Sequence, residues 1–314
     1  MQSFYSNGKL LLTGEYVVLD GAKALALPTK YGQNLIVSPS PSGRLGGDLI
    51  WESYTDTDEL WLQVEFDLPR LRIINATFDS VDDGGNDALA EKLQEILWNA
   101  KKMNPEFLSN EDGFIVKSKL TFPRNWGLGS SSTLINNIAQ WAKLDAFQLQ
   151  FNTFGGSGYD IACAQNNSLI IYQLKNKKPL VEVLDFNPSF KDQLYFVYLN
   201  KKQNSRDGIA TYKKNNKNTS IEVDEISQLT QQISTCNLVT DFEKLLAEHE
   251  AIISKLIQQN PIQEQLFLDY FGQTKSLGAW GGDFILATGN EDTPNYFKQK
   301  GFKTVVQYSG MILE

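Results

Sequence analysis

Pro123-Arg124-Asn125-Trp126-Gly127-Leu128-Gly129-Ser130-Ser131-Ser132-Thr133 is the stretch that decides the reading of this chain. Its two glycines let the backbone bend and approach another group with no Cβ in the way. Directly after them, Ser130 to Leu144 has the small and apolar pattern of a helix. A helix start aims unpaired N–H groups and the positive end of its dipole at one point, so the segment is built to receive an anion. Ser130, Ser131 and Ser132 add hydroxyls suited to phosphate oxygens or a metal. A serine cap after a glycine turn explains one of these residues. It does not explain two glycines, three serines and a long apolar helix together. The segment is no Walker loop, because the Gly8-Lys9 pair is followed by Leu10. Nor is it a G-x-G-x-x-G loop, since Ser132 stands where the last glycine belongs.

Three further glycine-bearing segments flank it. Upstream, Gly8-Lys9 opens the apolar run Leu10-Leu11-Leu12, and Gly14-Glu15 closes it. Read alone, this is a strand-edge turn with an exposed lysine. Downstream, Gly155-Gly156-Ser157-Gly158-Tyr159-Asp160-Ile161-Ala162 sets one carboxylate at the head of a small-residue run. Tyr159 rules out a G-x-S-x-G nucleophile elbow, and Asp160 by itself reads as a cap. Near the end, Leu277-Gly278-Ala279-Trp280-Gly281-Gly282-Asp283 turns into the apolar Phe284-Ile285-Leu286-Ala287.

Strand-like patterns cover Leu10 to Leu19, Asn34 to Ser38, Leu60 to Phe66 and Gly113 to Lys119. Leu169 to Leu174 and Leu180 to Asp185 read as a pair, and Leu194 to Leu199 as a further strand. Asn86 to Lys102 is a helix, with Ala88, Leu89, Leu93, Ile96, Leu97 and Ala100 at helical spacing. From Arg206 to Gln259 the pattern is helical, clearest over Thr240 to Gln258. Its predicted inner face is Phe242, Leu245, Leu246, His249, Ile252, Ile253 and Leu256. Strands at Asp283 to Ala287 and Thr304 to Gln307 flank a short helix, Thr293 to Lys300. Strands and helices mix without strict alternation, which predicts an α+β fold. The length of 314 residues favours two domains. Phe186-Asn187-Pro188-Ser189 suggests the boundary, giving domains 1–188 and 189–314.

Composition removes several function classes. Lys and Arg number 29 against 37 Asp and Glu, a net charge of −8, which disfavours nucleic acid as a partner. The single histidine, His249, excludes chemistry that needs several, and its place on an apolar helix face predicts a core residue. Cys163 and Cys236 form no C-x-x-C pair and read as reduced thiols. No leader pattern is visible at the start, and no uncharged apolar run approaches the ~20 residues of a membrane span. A cytoplasmic chain without a membrane partner is expected.

In order and spacing, the segments resemble the signature motifs of the GHMP kinases: galactokinase, homoserine kinase, mevalonate kinase and phosphomevalonate kinase. Lys9 to Val18 resembles the first motif, Pro123 to Thr133 the second and Gly278 to Ala287 the third. The second is the specific one, and together they cover nearly the whole chain. The Gly-Ser-Gly-Tyr-Asp-Ile-Ala stretch resembles the family's catalytic aspartate loop. Gly158 to Ala162 spells the signature of a bacterial subgroup. The nearest relatives resemble mevalonate and phosphomevalonate kinases, and Asp283 leans towards the latter.

The resemblance implies an N-terminal domain like the second domain of ribosomal protein S5 and a ferredoxin-like C-terminal domain, with ATP and substrate meeting between them. It implies ATP phosphates on Pro123, Asn125, Gly127, Leu128, Gly129, Ser130, Ser131 and Ser132, with Mg2+ on the Ser131 side. Asp160 would accept or orient the proton of an attacking hydroxyl, paired with Lys9. Glu15, Ser157, Gly158, Gly281, Gly282 and Asp283 fall at substrate positions. A phosphorylated acceptor would call for added cations, for which Lys201, Lys202 and Arg206 are candidates, a solvated basic turn being the plain alternative. Two departures stand out. Mevalonate kinases carry a metal-binding glutamate about eleven residues before the aspartate, where this chain has Leu149-Gln150-Phe151; Gln150 would hold at most a metal-bound water. Trp280 interrupts the third motif. The expected activity is phosphoryl transfer from ATP to a mevalonate-type alcohol or to phosphomevalonate. The alternatives are a diphosphomevalonate decarboxylase-like enzyme and a non-catalytic phosphate- or nucleotide-binding protein on the same scaffold. A homodimer is compatible with the sequence.

Overall fold

The apolar run Leu10 to Leu19, predicted as one strand, breaks in two in the computed structural model, which describes residues 1–40, 47–78, 86–109, 113–201, 205–215 and 219–313. The strand ends at Leu11, Gly14 turns the chain with a φ of 87°, and Val17–Asp20 forms a single 3-10 turn. Strands run over Gln2–Leu11 (β1), Ala24–Pro39 (β2), Asp48–Tyr54 (β3), Leu60–Asp67 (β4), Ile73–Phe78 (β5) and Phe114–Leu120 (β6). Further strands are Ile170–Lys175 (β7), Lys178–Val183 (β8), Leu194–Tyr198 (β9), Thr274–Ser276 (β10), Phe284–Thr288 (β11) and Val305–Gln307 (β12). The helices are Asn86–Met103 (α1), Ser130–Ala142 (α2), Ala146–Thr153 (α3), Tyr159–Gln165 (α4) and Ser205–Asn215 (α5). Then follow Ser220–Ser234 (α6), Val239–Ile257 (α7), Ile262–Leu266 (α8), Thr293–Gln299 (α9) and Tyr308–Met311 (α10). Among the described residues no helix is long and apolar enough to cross a membrane.

The chain forms two units that do not follow the expected division at 188. The first holds residues 1–8, 31–124 and 129–165; the second holds 9–30, 125–128 and 166–314. Hydrogen bonding overrides sequence adjacency here. Residues 24–26 of β2 pair with β7, and β7 pairs with β8, so both hairpin strands join the second unit although they precede residue 188. A linker-like composition at 186–189 carries no information about such pairing.

In the first unit, β5, β4, β3, β6 and the C-terminal part of β2 lie side by side. The β3–β6 pair is parallel and the others antiparallel. Side chains alternate along β3 and β4, so Leu49, Trp51, Leu62, Val64 and Phe66 all turn inward. Helices cover them. On α1 the buried stripe is Ala90, Leu93, Ile96, Leu97 and Ala100, starting one position later than the predicted Ala88 and Leu89. Ile135, Ile138, Ala139 and Ala142 of α2 complete the layer, with Leu149 of α3 and Ile161 of α4.

In the second unit, β10, β11, β9 and β12 form an antiparallel sheet. Helix α7 buries Phe242, Leu246, His249, Ile253 and Leu256 as predicted, and also Glu250, a charge on the inner face. The core reading of His249 holds. Tyr16, Val17, Tyr212, Ile226, Ile253 and Trp280 pack in one cluster.

Removing a ring from the first core leaves a cavity. Phe66→Ala is expected to cost about 3–5 kcal/mol in urea unfolding. Trp98→Ala, on the exposed side of α1, is expected to stay within about 0.5 kcal/mol; equal losses would contradict the packing described.

Candidate functional site

The glycine loop is held one residue at a time. Its residues 125–128 belong to the second unit. Tyr198 donates its hydroxyl to the Asn125 carbonyl at 3.0 Å. The Trp126 ring meets Phe284 edge-on at 5.3 Å. Lys9 Nζ donates to the Gly127 carbonyl at 2.9 Å, and the Lys9 main-chain N–H donates to the Leu128 carbonyl at 2.9 Å. Leu128 is fully buried. Gly127 and Gly129 have φ values of 67° and 88°, in the left-handed region that only glycine enters without cost. At Gly127 there is a second reason: the Asp283 carboxyl fills the space a Cβ would take. Asp283 is itself left-handed, with φ 53°, and its N–H donates to the Lys201 carbonyl at 2.6 Å. Burial, and then the negative charge of Asp283, push the Tyr198 phenol up. The loop, the aspartate of the third segment and Lys201 thus converge, which their separation in sequence does not reveal.

In the first unit Gly129 opens α2, and no side chain caps that helix. Its first-turn N–H groups therefore remain for an anion. The three serines differ. Ser132 is buried and donates its hydroxyl back to the Gly129 carbonyl at 2.8 Å, whereas Ser131 is exposed and Ser130 half-buried. A phosphate therefore suits the backbone of the turn, and a hard cation beside it suits the Ser131 hydroxyl.

Asp160 sits in the first turn of α4, half-buried. Its Oδ1 accepts from Gln150 Nε2 at 2.8 Å and from the Ile161 N–H at 3.1 Å. Gln150, the residue that stands where the resemblance expects an acid, thus bonds directly to the aspartate. Ser157 and Gly158 are buried in the loop before α4. Gly281 and Gly282 lie in the turn before Asp283. Lys201 is exposed; Lys202 lies outside the described residues, as does the side chain of Arg206, whose backbone starts α5.

Glu15 is in a different setting from the expected substrate contact. It is buried and paired with Lys275, which is itself fully buried and lies 3.2 Å from Glu250. The Ser276 N–H donates to Glu250 at 3.0 Å. The Gly14 N–H donates to His249 Nε2 at 3.0 Å, and that nitrogen lies 3.4 Å from Glu15. Burial pushes the Glu15 carboxyl up to about 7 against the opposing pull of Lys275. Burial, then Lys275, hold His249 well below its usual range, as a neutral imidazole. No motif signals Lys275 as the partner of Glu15, because the ion pair spans 260 positions. Trp280 packs against this region, its main-chain N–H donating to the Tyr16 hydroxyl at 3.2 Å. The residue that interrupts the third motif is part of the core.

Two predictions follow from this geometry. Glu15 is raised on folding, so between about 4.5 and about 7 the folded state holds the extra proton and stability falls as pH rises. His249 is depressed, so its contribution is present above about 6.5 and lost as pH falls. Glu15→Gln removes only the first effect. The stability advantage of wild type over this variant should shrink from pH 4.5 to 7 in denaturant titrations. A constant difference would contradict the assignment. Gly127→Ala should cost about 1–2 kcal/mol for the left-handed alanine, plus the collision with Asp283. In a thermal double-mutant cycle, Asp283→Ala should recover the collision part; strict additivity would mean that Asp283 is not the obstacle.

No sequence-family model and no curated protein matches the chain. Solved structures do match. Mevalonate kinase of Methanococcus jannaschii superposes with a TM-score of 0.71 at 15% identity, covering 100% of this chain and 98% of that one. Phosphomevalonate kinase of Streptococcus pneumoniae, in complex with phosphomevalonate and AMPPNP, gives 0.67 at 15%, covering 100% and 98%. Galactokinase of Lactococcus lactis, complexed with galactose, gives 0.66 at 13%, covering 100% and 95%. At such identities the likeness is one of fold, and over its whole length the chain has the mixed α+β, two-sheet fold of the GHMP kinases.

Proposed function

We propose that this chain is an ATP-dependent kinase that transfers the γ-phosphoryl group to a small-molecule acceptor, a mevalonate-type alcohol or phosphomevalonate. The observation that carries the reading is the glycine loop: two left-handed glycines, one shielded from any Cβ by Asp283, running into a helix start with no capping side chain. Such a start neutralises phosphate charge with backbone N–H groups. Structural relatives that include a phosphomevalonate kinase complexed with an ATP analogue add support. ATP phosphates would rest on Gly127 to Ser131. Mg2+ would be held by those phosphates and the Ser131 hydroxyl, supplying charge neutralisation at the transferred group.

In this reading Asp160 takes or orients the proton of the acceptor hydroxyl through Oδ2, the oxygen left by its two bonds at Oδ1. Lys9 sets the loop through Gly127 and Leu128 and adds positive charge there. Ser157 and Gly158, in the loop before Asp160, would shape the acceptor site. Lys201, beside Asp283, would serve an acceptor that already carries phosphate. Glu15 is not proposed as a contact, since Lys275 already pairs it inside the protein.

The second reading, a non-catalytic nucleotide-binding protein, draws on one observation: the position of the family's acidic metal ligand is Gln150, and its amide is bound to Asp160. An ADP-release screen over mevalonate, phosphomevalonate, homoserine and galactose separates the two, and CO2 release would reveal a decarboxylase. With the active acceptor, Asp160→Asn should lower turnover by about 10²–10⁴-fold while ATP binding persists. Lys9→Ala should lower turnover and weaken ATP binding together, because it also frees the loop. Unchanged turnover in both variants would sink the kinase assignment.

A further inference from the structure

We infer that Gln150 is a positioning residue for the phosphoryl-transfer step, fixing the Asp160 carboxylate through its side-chain amide; this rests on the kinase reading above. Gln150 is 4% exposed and lies near the end of α3. That helix is tied down at both ends. Asp145 caps its start by accepting from the Phe147 N–H at 2.8 Å. At its end the Gln150 carbonyl accepts from the N–H groups of Phe154 and Gly155, at 2.8 Å and 3.0 Å. The side chain therefore leaves a rigid base.

Nε2 of Gln150 donates to Asp160 Oδ1 at 2.8 Å, and the Gly155 carbonyl lies 3.4 Å from the same nitrogen. Both neighbours are acceptors, so the amide can point only its N–H groups that way. The cost is visible at the other end of the amide. Oε1 is buried with no hydrogen-bond partner, an arrangement that a bond to a carboxylate can offset and a bond between neutral groups hardly would. With the Ile161 N–H also on Oδ1, both fixed donors act on one oxygen. Carboxylate rotation is thereby arrested and Oδ2 is the oxygen presented to a substrate hydroxyl. An acid at position 150 would face Asp160 with a second set of acceptors, whereas the glutamine supplies a donor.

The test is a kinetic double-mutant cycle of Gln150→Leu with Asp160→Asn, using ADP release at saturating ATP. Gln150→Leu should lower kcat by about 10–100-fold, the scale of a misplaced reacting group, with the acceptor KM changed less than about threefold. In the Asp160→Asn background the same substitution should change the residual kcat by less than about threefold, because an orienting residue has nothing left to orient. Gln150→Met, close in size, uncharged and lacking the donor, should reproduce the kcat loss with a melting temperature little changed. That variant keeps the test valid if the leucine disturbs folding. Wild-type kcat in both Gln150 variants, or an equal loss in both Asp160 backgrounds, would overturn the positioning role while the kinase reading stood. A wild type that releases no ADP, or an Asp160→Asn variant at full turnover, would instead overturn the kinase reading and this inference with it.

Discussion

Lys9 grips the glycine loop with both its main chain and its side chain, and the rest of the candidate phosphate site depends on that grip. Its N–H and Nζ take up the carbonyls of Leu128 and Gly127. Once those carbonyls are turned towards Lys9, the left-handed glycines have a defined path into α2. Tyr198 and Trp126 secure the residues just before them. The loop's shape is therefore fixed by bonds within the chain. The same lysine brings a positive charge to the loop. Asp283 works in the opposite sense. Its carboxyl lies against Gly127 and sets a negative charge beside the loop.

A buried charge network stabilises the segment that follows Lys9. Lys275 has Glu15 and Glu250 as partners, with His249 beside them. Taking a lysine and two carboxylates out of water is costly, and the geometry must return that cost through close pairing. Such an arrangement tolerates one register only, since removing any partner leaves a charge stranded. It joins the turn at Gly14, helix α7 and strand β10 inside the second unit. Glu15, placed by the resemblance at a substrate position, is buried and paired with Lys275 in this chain.

Local pattern made much of the fold legible. The stripe on α1, the apolar face of α7 and the β7–β8 pair all follow from 3.6- and two-residue periodicities, which depend on neighbours in sequence. Even so, the α1 stripe begins at Ala90, because the sheet beneath decides which residues face it. Leu10 to Leu19 looked continuous to a period-based reading, yet a turn at Gly14 divides it. Strand β3 was passed over, its alternation being visible only once Leu49, Trp51 and Ser53 are known to share a buried side. At the candidate site, the glycine loop stands out because glycine has local meaning, whereas Asp160 and Lys9, read alone a cap and a turn lysine, stand out only through the resemblance. Gln150 stood out only as a missing acid.

The sequence by itself determined the α+β class and marked Gly127 to Ser132 as a candidate anion loop, with Asp160 and Lys9 added through the family resemblance. The class and the loop rest on chemistry carried by adjacent residues: periodicity, a glycine without a Cβ, a helix start. Tertiary structure alone decided that Asp283 presses on Gly127, that Glu15 is spent on Lys275 and that Gln150 holds Asp160. It also decided that the units interleave along the chain. Those outcomes come from distant contacts and from the cost of burying polar groups, which depend on what the folded chain brings within hydrogen-bond reach.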